Sequence, residues 1–344
     1  MKRFLTPSYN FVFDDKTGMF ARWGRTKKDD PVVSLYGPEM LDISITRMCY
    51  NNCSYCYRSA GPDGKHMHLE LYKHILDILP DTVCQIALGG GEPTLHPDFP
   101  EILRLTRDRG IVPNYTTNGS EIVDSELNKS RDRILEATKE YCGVVAVSLH
   151  HSMDKTTEAV RTLIDYGVKT NIHCVLSAES YPQVIEQLPA YIRGELHGLN
   201  AVIFLLYKPV GRAKRAALPT RQQFRDLVEL YSGLPVKLGF DSCSVPFLID
   251  NESINKISIE PCEAGRFSMF ISETGWCSPC SFAETLYEHE FNVADLDKVG
   301  FLVQWLGLVE EVGEDLSCSN EKCKYNGDCL GTCYFLPEMR CDLL

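Results

Sequence analysis

Three cysteines fall within eight positions in CYNNCSYC: Cys49, Cys53 and Cys56, with gaps of three residues and then two. A structural zinc ion is closed by four ligands, and ferredoxin-type clusters recruit a fourth cysteine. His66 and His68 follow, but neither stands at a zinc-finger spacing from the triplet. Three thiolates on one short loop instead suit three irons of a [4Fe–4S] cube. The fourth iron is then open to coordinate a small molecule and pass it an electron. A second candidate is GGGEPTLHP, residues 89–97. Glycine lets the backbone approach a ligand closely. The carboxylate of Glu92 can accept hydrogen bonds from an ammonium group.

The chain holds fifteen cysteines among 344 residues. Eight lie after residue 260: Cys262, Cys277, Cys280, Cys318, Cys323, Cys329, Cys333 and Cys341. Cys84, Cys142 and Cys174 sit in or beside apolar stretches and read as small buried hydrophobes. Cys243, in DSCSVP, is left open between the two roles. No apolar run approaches the length of a membrane span, and MKRFLTPSYN lacks the apolar core of a signal peptide. A cytoplasmic protein without a membrane partner is expected. In that reducing compartment gathered thiolates hold metal rather than disulfides. The net charge of −12, with no long basic stripe, argues against a nucleic-acid partner.

Positioning elements follow from the hydrophobic pattern. Residues 9–23 read as two strands around a DDKTG turn, a hairpin within an N-terminal segment 1–40. Apolar strands are expected at 41–46, 84–89, 112–117, 143–149, 169–177 and 201–207, with helices at 67–79, 98–109, 129–140, 154–166 and 181–193. This alternation predicts an α/β fold with a parallel sheet and right-handed crossovers, either doubly wound or a full or partial barrel. In both, chemistry gathers at the C-terminal ends of the strands. The cysteine triplet follows the first strand there, and the glycine motif follows the second. A further helix is expected at 219–231. Cysteines and glycines then dominate, as in a small domain that uses metal as a staple. The expected division is a core at 41–240 and a cysteine-rich domain at 241–344.

Cys49-x3-Cys53-x2-Cys56 after the first strand, with GGEP at Gly90, Gly91, Glu92 and Pro93, resembles the radical S-adenosylmethionine enzymes. The resemblance implies a partial (β/α)6 TIM-like barrel and a [4Fe–4S] cluster whose open iron is chelated by S-adenosylmethionine. Reductive cleavage would give methionine and a 5′-deoxyadenosyl radical that abstracts a substrate hydrogen. It also implies an external electron donor such as ferredoxin or flavodoxin. Tyr55 would border the adenine. Asn118 in YTTNG, Ser148 in VSLHH and Arg212 in YKPVGRA match further cofactor-binding positions. His150, at the end of the same strand as Ser148, is left open between facing the pocket and a structural role.

CSNEKCKYNGDCLGTC (318–333) with Cys341 resembles the SPASM extension, whose members carry two auxiliary clusters and act largely on peptides and proteins. Its first gap here is four residues, where the usual pattern has two. The resemblance implies that Cys318, Cys323, Cys329 and Cys341 hold a distal cluster. Cys262, Cys280 and Cys333 would hold a nearer one, with Cys277 or Cys243 as fourth ligand. Structural zinc is the alternative for this region. Sulfatase maturases of this type carry a base where Ser281 stands, which counts against that activity; Asp241 and Glu263 are other candidate bases. The leading expectation is maturation of a ribosomal precursor peptide. Its docking would use either the hairpin edge or a separate leader-binding protein. The alternatives are radical chemistry on a small metabolite and a non-enzymatic iron–sulfur electron carrier.

Overall fold

The computed structural model describes residues 1–123, 130–150, 152–214, 216–256, 259–284, 286, 291–313, 322–325, 333 and 335–336. The N-terminal segment is a three-stranded antiparallel sheet of β1 (Lys2–Leu5), β2 (Asn10–Phe13) and β3 (Phe20–Trp23). It therefore has one strand more than the expected hairpin. Tyr9, Phe11 and Phe13 pack on Cys84, Val112 and Phe267. These lie where strands of the main sheet begin, so the small sheet covers the N-terminal end.

The main sheet contains β4 (Met40–Thr46), β5 (Gln85–Gly90), β6 (Val112–Thr117), β7 (Val145–Ser148), β8 (Thr170–Leu176), β9 (Ala201–Leu206) and β10 (Lys237–Phe240). These seven are parallel neighbours in chain order. The first six match the expected strands, and β10 is an addition. Beyond residue 240, β11 (Ser268–Ile271) pairs in parallel with β4, and β12 (Trp276–Ser278) and β13 (Phe291–Asn292) continue antiparallel. One sheet thus runs from the core into the cysteine-rich segment.

Its edges, β10 and β13, do not meet. Yet Asp42 of β4, Ala87 of β5, His173 of β8 and Leu205 of β9 line one cavity of about 440 Å³. In a flat sheet β4 and β9 would stand about 24 Å apart, five strand spacings. The sheet is therefore curled into an open, partial barrel. The period-2 pattern sorts its faces. Leu41, Ile43, Ile86, Leu88, Val145, Val147, Ile172 and Phe204 are buried beneath the helices. Asp42, Ala87, Thr116, Ser148 and His173 alternate with them on the concave side. Helix Phe99–Asp108 buries Phe99, Ile102, Leu103 and Thr106, the i, i+3, i+4, i+7 stripe of an amphipathic helix. The expected helix at 181–193 is two, Tyr181–Glu186 and Leu188–Gly194. Cys84 and Cys174 are buried, and burial pushes the Cys84 thiol up to about 12. They are inert core residues. Among the described residues no helix is long and apolar enough to cross a membrane.

Candidate active site

The loop after β4 carries Cys49, Cys53 and Cys56, all half-buried. Its fold comes from backbone ties: Cys49 N–H donates to Gly61 O at 3.0 Å, and Cys56 N–H donates to Cys53 O at 3.2 Å. Asn52 and Ser59 take left-handed φ values of 45° and 51°. That region is uncommon for non-glycine residues, so the loop depends on its surroundings. Arg212 supplies part of them. Its Nε donates to Cys53 O at 3.1 Å, its guanidinium to Ala60 O at 2.7 Å, and its backbone N–H to Cys56 O at 3.0 Å. The arginine is committed to loop carbonyls.

The glycine motif clamps the root of the same loop. Gly91 N–H donates to Thr46 O at 2.6 Å and Glu92 N–H to Met48 O at 2.7 Å. A Cβ at Gly90, where φ is +116°, would lie 2.1 Å from Thr46 O, and one at Gly91 2.1 Å from Met48 O. Only glycine permits this crossing. Pro93 then opens a short 3-10 turn. Glu92 is buried beneath it, and its carboxylate accepts from Thr94 Oγ1 (2.6 Å), Thr94 N (3.3 Å), Thr117 Oγ1 (2.8 Å) and Asn118 N (2.7 Å). Burial raises its pKa, and these four donors offset only part of that rise. Glu92 therefore locks the exits of β5 and β6 together.

Of the other predicted positions, Tyr55 is in this loop, Asn118 lies beside it and Ser148 ends a strand of the same sheet. Asn118 Nδ2 lies 3.9 Å from Cys49 Sγ. Tyr55 OH meets His150 Nδ1 at 2.8 Å, and that nitrogen lies 3.8 Å from Cys53 Sγ. Ser148 ends β7 in register with His173. Thus β4, β5, β6 and β7 deliver the predicted residues to one end of the sheet.

The cavity inside the curl is walled by Cys243, Cys262, Cys280 and Cys333. They come from four separate places: the turn after β10, the approach to β11, the segment after β12 and the C-terminal region. Cys277 stands apart from them, buried in β12 with its Sγ 3.8 Å from Gly275 O. Cys323 is half-buried. Cys318, Cys329 and Cys341 lie outside the described residues. Burial raises all four cavity thiols, Cys280 to about 12. Each would need a cation beside it to be held as thiolate. Among the described residues no three His, Cys, Asp or Glu converge closely enough for a single metal ion. A four-iron cube takes one thiolate at each corner and so spaces its ligands more widely.

Several residues here escaped the sequence reading. Arg58, two residues after Cys56, is buried and pairs with Glu273 at 2.9 Å and with Glu284. Arg47 reaches the same two carboxylates at 2.9 Å. Tyr57 packs on Phe282 with ring centres 4.4 Å apart and the rings tilted by 34°. These contacts tie the cysteine loop to the segment beyond β11. Asp42 faces the cavity; burial raises its pKa, and the Ser281 side chain opposes that rise. Burial pulls His173 down to about 4, so its ring is neutral at pH 7. Of the candidate bases, Asp241 is paired with Lys208 at 2.6 Å and Glu263 with Arg22 at 2.9 Å. Burial alone would lower the pKa of Lys208; Asp241 and Cys243 carry it above its usual value. Adjacent buried charges of this kind carry no mark in the sequence.

The profile of the Radical SAM superfamily matches residues 43–181, from β4 into the helix after β8. That span contains the cysteine loop, the glycine motif and the exits of β6 and β7.

Residues 43–181 form a radical SAM domain.

Relatives extend the comparison beyond this radical SAM domain. The tungsten-containing aldehyde ferredoxin oxidoreductase cofactor-modifying protein of Pyrococcus furiosus is 26% identical over 254 residues, 64% of this chain and 67% of that protein. A PqqA peptide cyclase of Gluconobacter oxydans is 24% identical over 278 residues, 75% of each chain. Relatives at 30–37% identity match over less than half of their own length. Streptococcus suis SuiB bound to its precursor peptide SuiA has a TM-score of 0.70 at 20% identity, covering 87% of this chain and 72% of that one. It has the same fold.

Proposed function

We propose that this chain is a radical SAM enzyme that modifies a ribosomally made peptide at an unactivated carbon. One observation carries the reading: the cysteine loop of the radical SAM domain is tied to a segment whose four cysteines wall the cavity inside the curled sheet. Cys49, Cys53 and Cys56 would hold a [4Fe–4S] cluster with one iron open. Bound there with S-adenosylmethionine, it would supply reductive cleavage to a 5′-deoxyadenosyl radical. Gly90, Gly91, Glu92 and Arg212 hold the loop in place. Tyr55, Asn118 and Ser148 border the space beside it.

A peptide substrate is supported by extent of match. The PqqA peptide cyclase aligns over three quarters of each chain, and SuiB, a neighbour in fold, is seen with a precursor peptide. Relatives named for nucleotide chemistry, a nucleotide dehydratase and a probable GTP cyclase, share 49% and 28% of their lengths. The cysteine-rich segment would hold two auxiliary clusters, as electron acceptor or substrate wall. A ferredoxin- or flavodoxin-like donor and a leader-binding protein are the further proposed partners.

The test uses anaerobically reconstituted enzyme, reductant, S-adenosylmethionine and a short precursor encoded beside the gene, with and without a leader-binding partner. The expected result is a modified peptide, with deuterium from the attacked carbon recovered in 5′-deoxyadenosine. Transfer of label only from a small metabolite would replace the peptide reading.

The nearer auxiliary cluster is assigned Cys243, Cys262, Cys280 and Cys333. Full loading would be about twelve irons, three cubes of four. Cys243→Ser is expected to lower that to about eight, and Cys277→Ser to leave it unchanged. Iron and sulfide analysis decides; loss on Cys277→Ser with retention on Cys243→Ser reverses the assignment.

A further inference from the structure

Lys208 is an unusual wall for a cavity lined with cysteines. It follows β9, its side chain is 2% exposed, and it lines the cavity with Cys243 and Cys280. Its Nζ donates to Asp241 Oδ2 at 2.6 Å and to Leu206 O at 2.9 Å, and lies 4.4 Å from the Phe282 ring centre. Asp241 is held in turn by Ser244 Oγ at 2.8 Å and Leu206 N at 3.1 Å. Both members are therefore fixed. A buried ion pair contributes little to stability against apolar residues of similar size. Its placement against the cysteines gives it another use.

An all-cysteine [4Fe–4S] centre has a net charge of −2 when oxidised and −3 when reduced. A fixed cation beside it favours the reduced form; a fixed anion opposes it. We infer that Lys208 and Asp241 form a charge pair that sets the reduction potential of the cluster held by Cys243, Cys262, Cys280 and Cys333. Lys208 raises the potential and Asp241 moderates that rise. Neither touches the reacting atoms; both act through the cluster. The inference rests on the auxiliary-cluster assignment above.

The experiment is a redox titration of the reconstituted full chain, followed by EPR. Lys208→Gln is expected to lower the reduced-to-oxidised ratio of one auxiliary component about tenfold at fixed potential, about 59 mV downward for one electron. Asp241→Asn is expected to move the same component upward, and Lys208→Arg to leave it near the parent value. Should Lys208→Gln lose iron or fail to fold, the upward shift of Asp241→Asn carries the test. A cluster present at full iron content whose midpoint moves in neither variant, or moves the same way in both, overturns the inference alone. Zinc in place of iron in the parent protein overturns the auxiliary-cluster reading and the inference with it.

Discussion

Replacing Cys49, Cys53 and Cys56 together with alanine is expected to abolish 5′-deoxyadenosine formation while leaving about eight of about twelve irons bound. The loop's backbone does not depend on its thiols. Its root is clamped by Gly91 and Glu92 on Thr46 and Met48, and its middle by Arg212 on Cys53 and Ala60 carbonyls. The cysteines of the C-terminal region lie on other segments. Loss of the core cluster should therefore be local. Nucleoside production and iron content of the reconstituted triple variant are the measurements. Persistent 5′-deoxyadenosine would remove the loop from the chemistry. Loss of nearly all iron would show instead that the sites assemble together.

Arg58→Met is expected to cost about 3–5 kcal/mol of stability, because it takes the buried partner from the buried Glu273 carboxylate. Arg58 has 1% side-chain exposure, and Glu273 has 7%. Its guanidinium also lies 4.7 Å from the Phe270 ring centre in β11. Methionine would fill the volume and return none of the charge. Arg47 still reaches Glu273 and Glu284, but from a side chain that is 36% exposed. Adding Glu273→Gln and Glu284→Gln to Arg58→Met should recover part of the loss, since no buried charge then stands alone. Denaturant unfolding of the metal-free proteins measures both steps. A loss below about 1 kcal/mol, the scale of a solvated pair, would mean that water reaches this network.

Two kinds of information divide between sequence and structure. Alternating strands and helices, the cysteine triplet after the first strand and the glycine motif after the second were legible along the chain. Each depends on short-range rules: a side-chain period of two in strands, and the close approach that only glycine allows at Gly90 and Gly91. Those rules act over a few residues, so sequence alone placed the loop and the motif at the same end of the sheet.

The partners across the fold were not legible. Cys277 was one of two candidate fourth ligands, yet strand alternation in β12 turns it into the core. Cys243 belongs to no motif, and the turn after β10 brings it to the cavity. Glu92 carries the chemistry of an ammonium acceptor, but the exit of β6 supplies donors that occupy it. Arg212 matches a cofactor-binding position, and its side chain is used on loop carbonyls. The pairing of β11 with β4 underlies much of this, since it joins segments more than 200 residues apart and sets Glu273 against Arg58. Sequence determines which chemical groups are available. Which of them meet is decided by strand pairing and burial, because the free energy of a contact depends on neighbours that the chain order does not record.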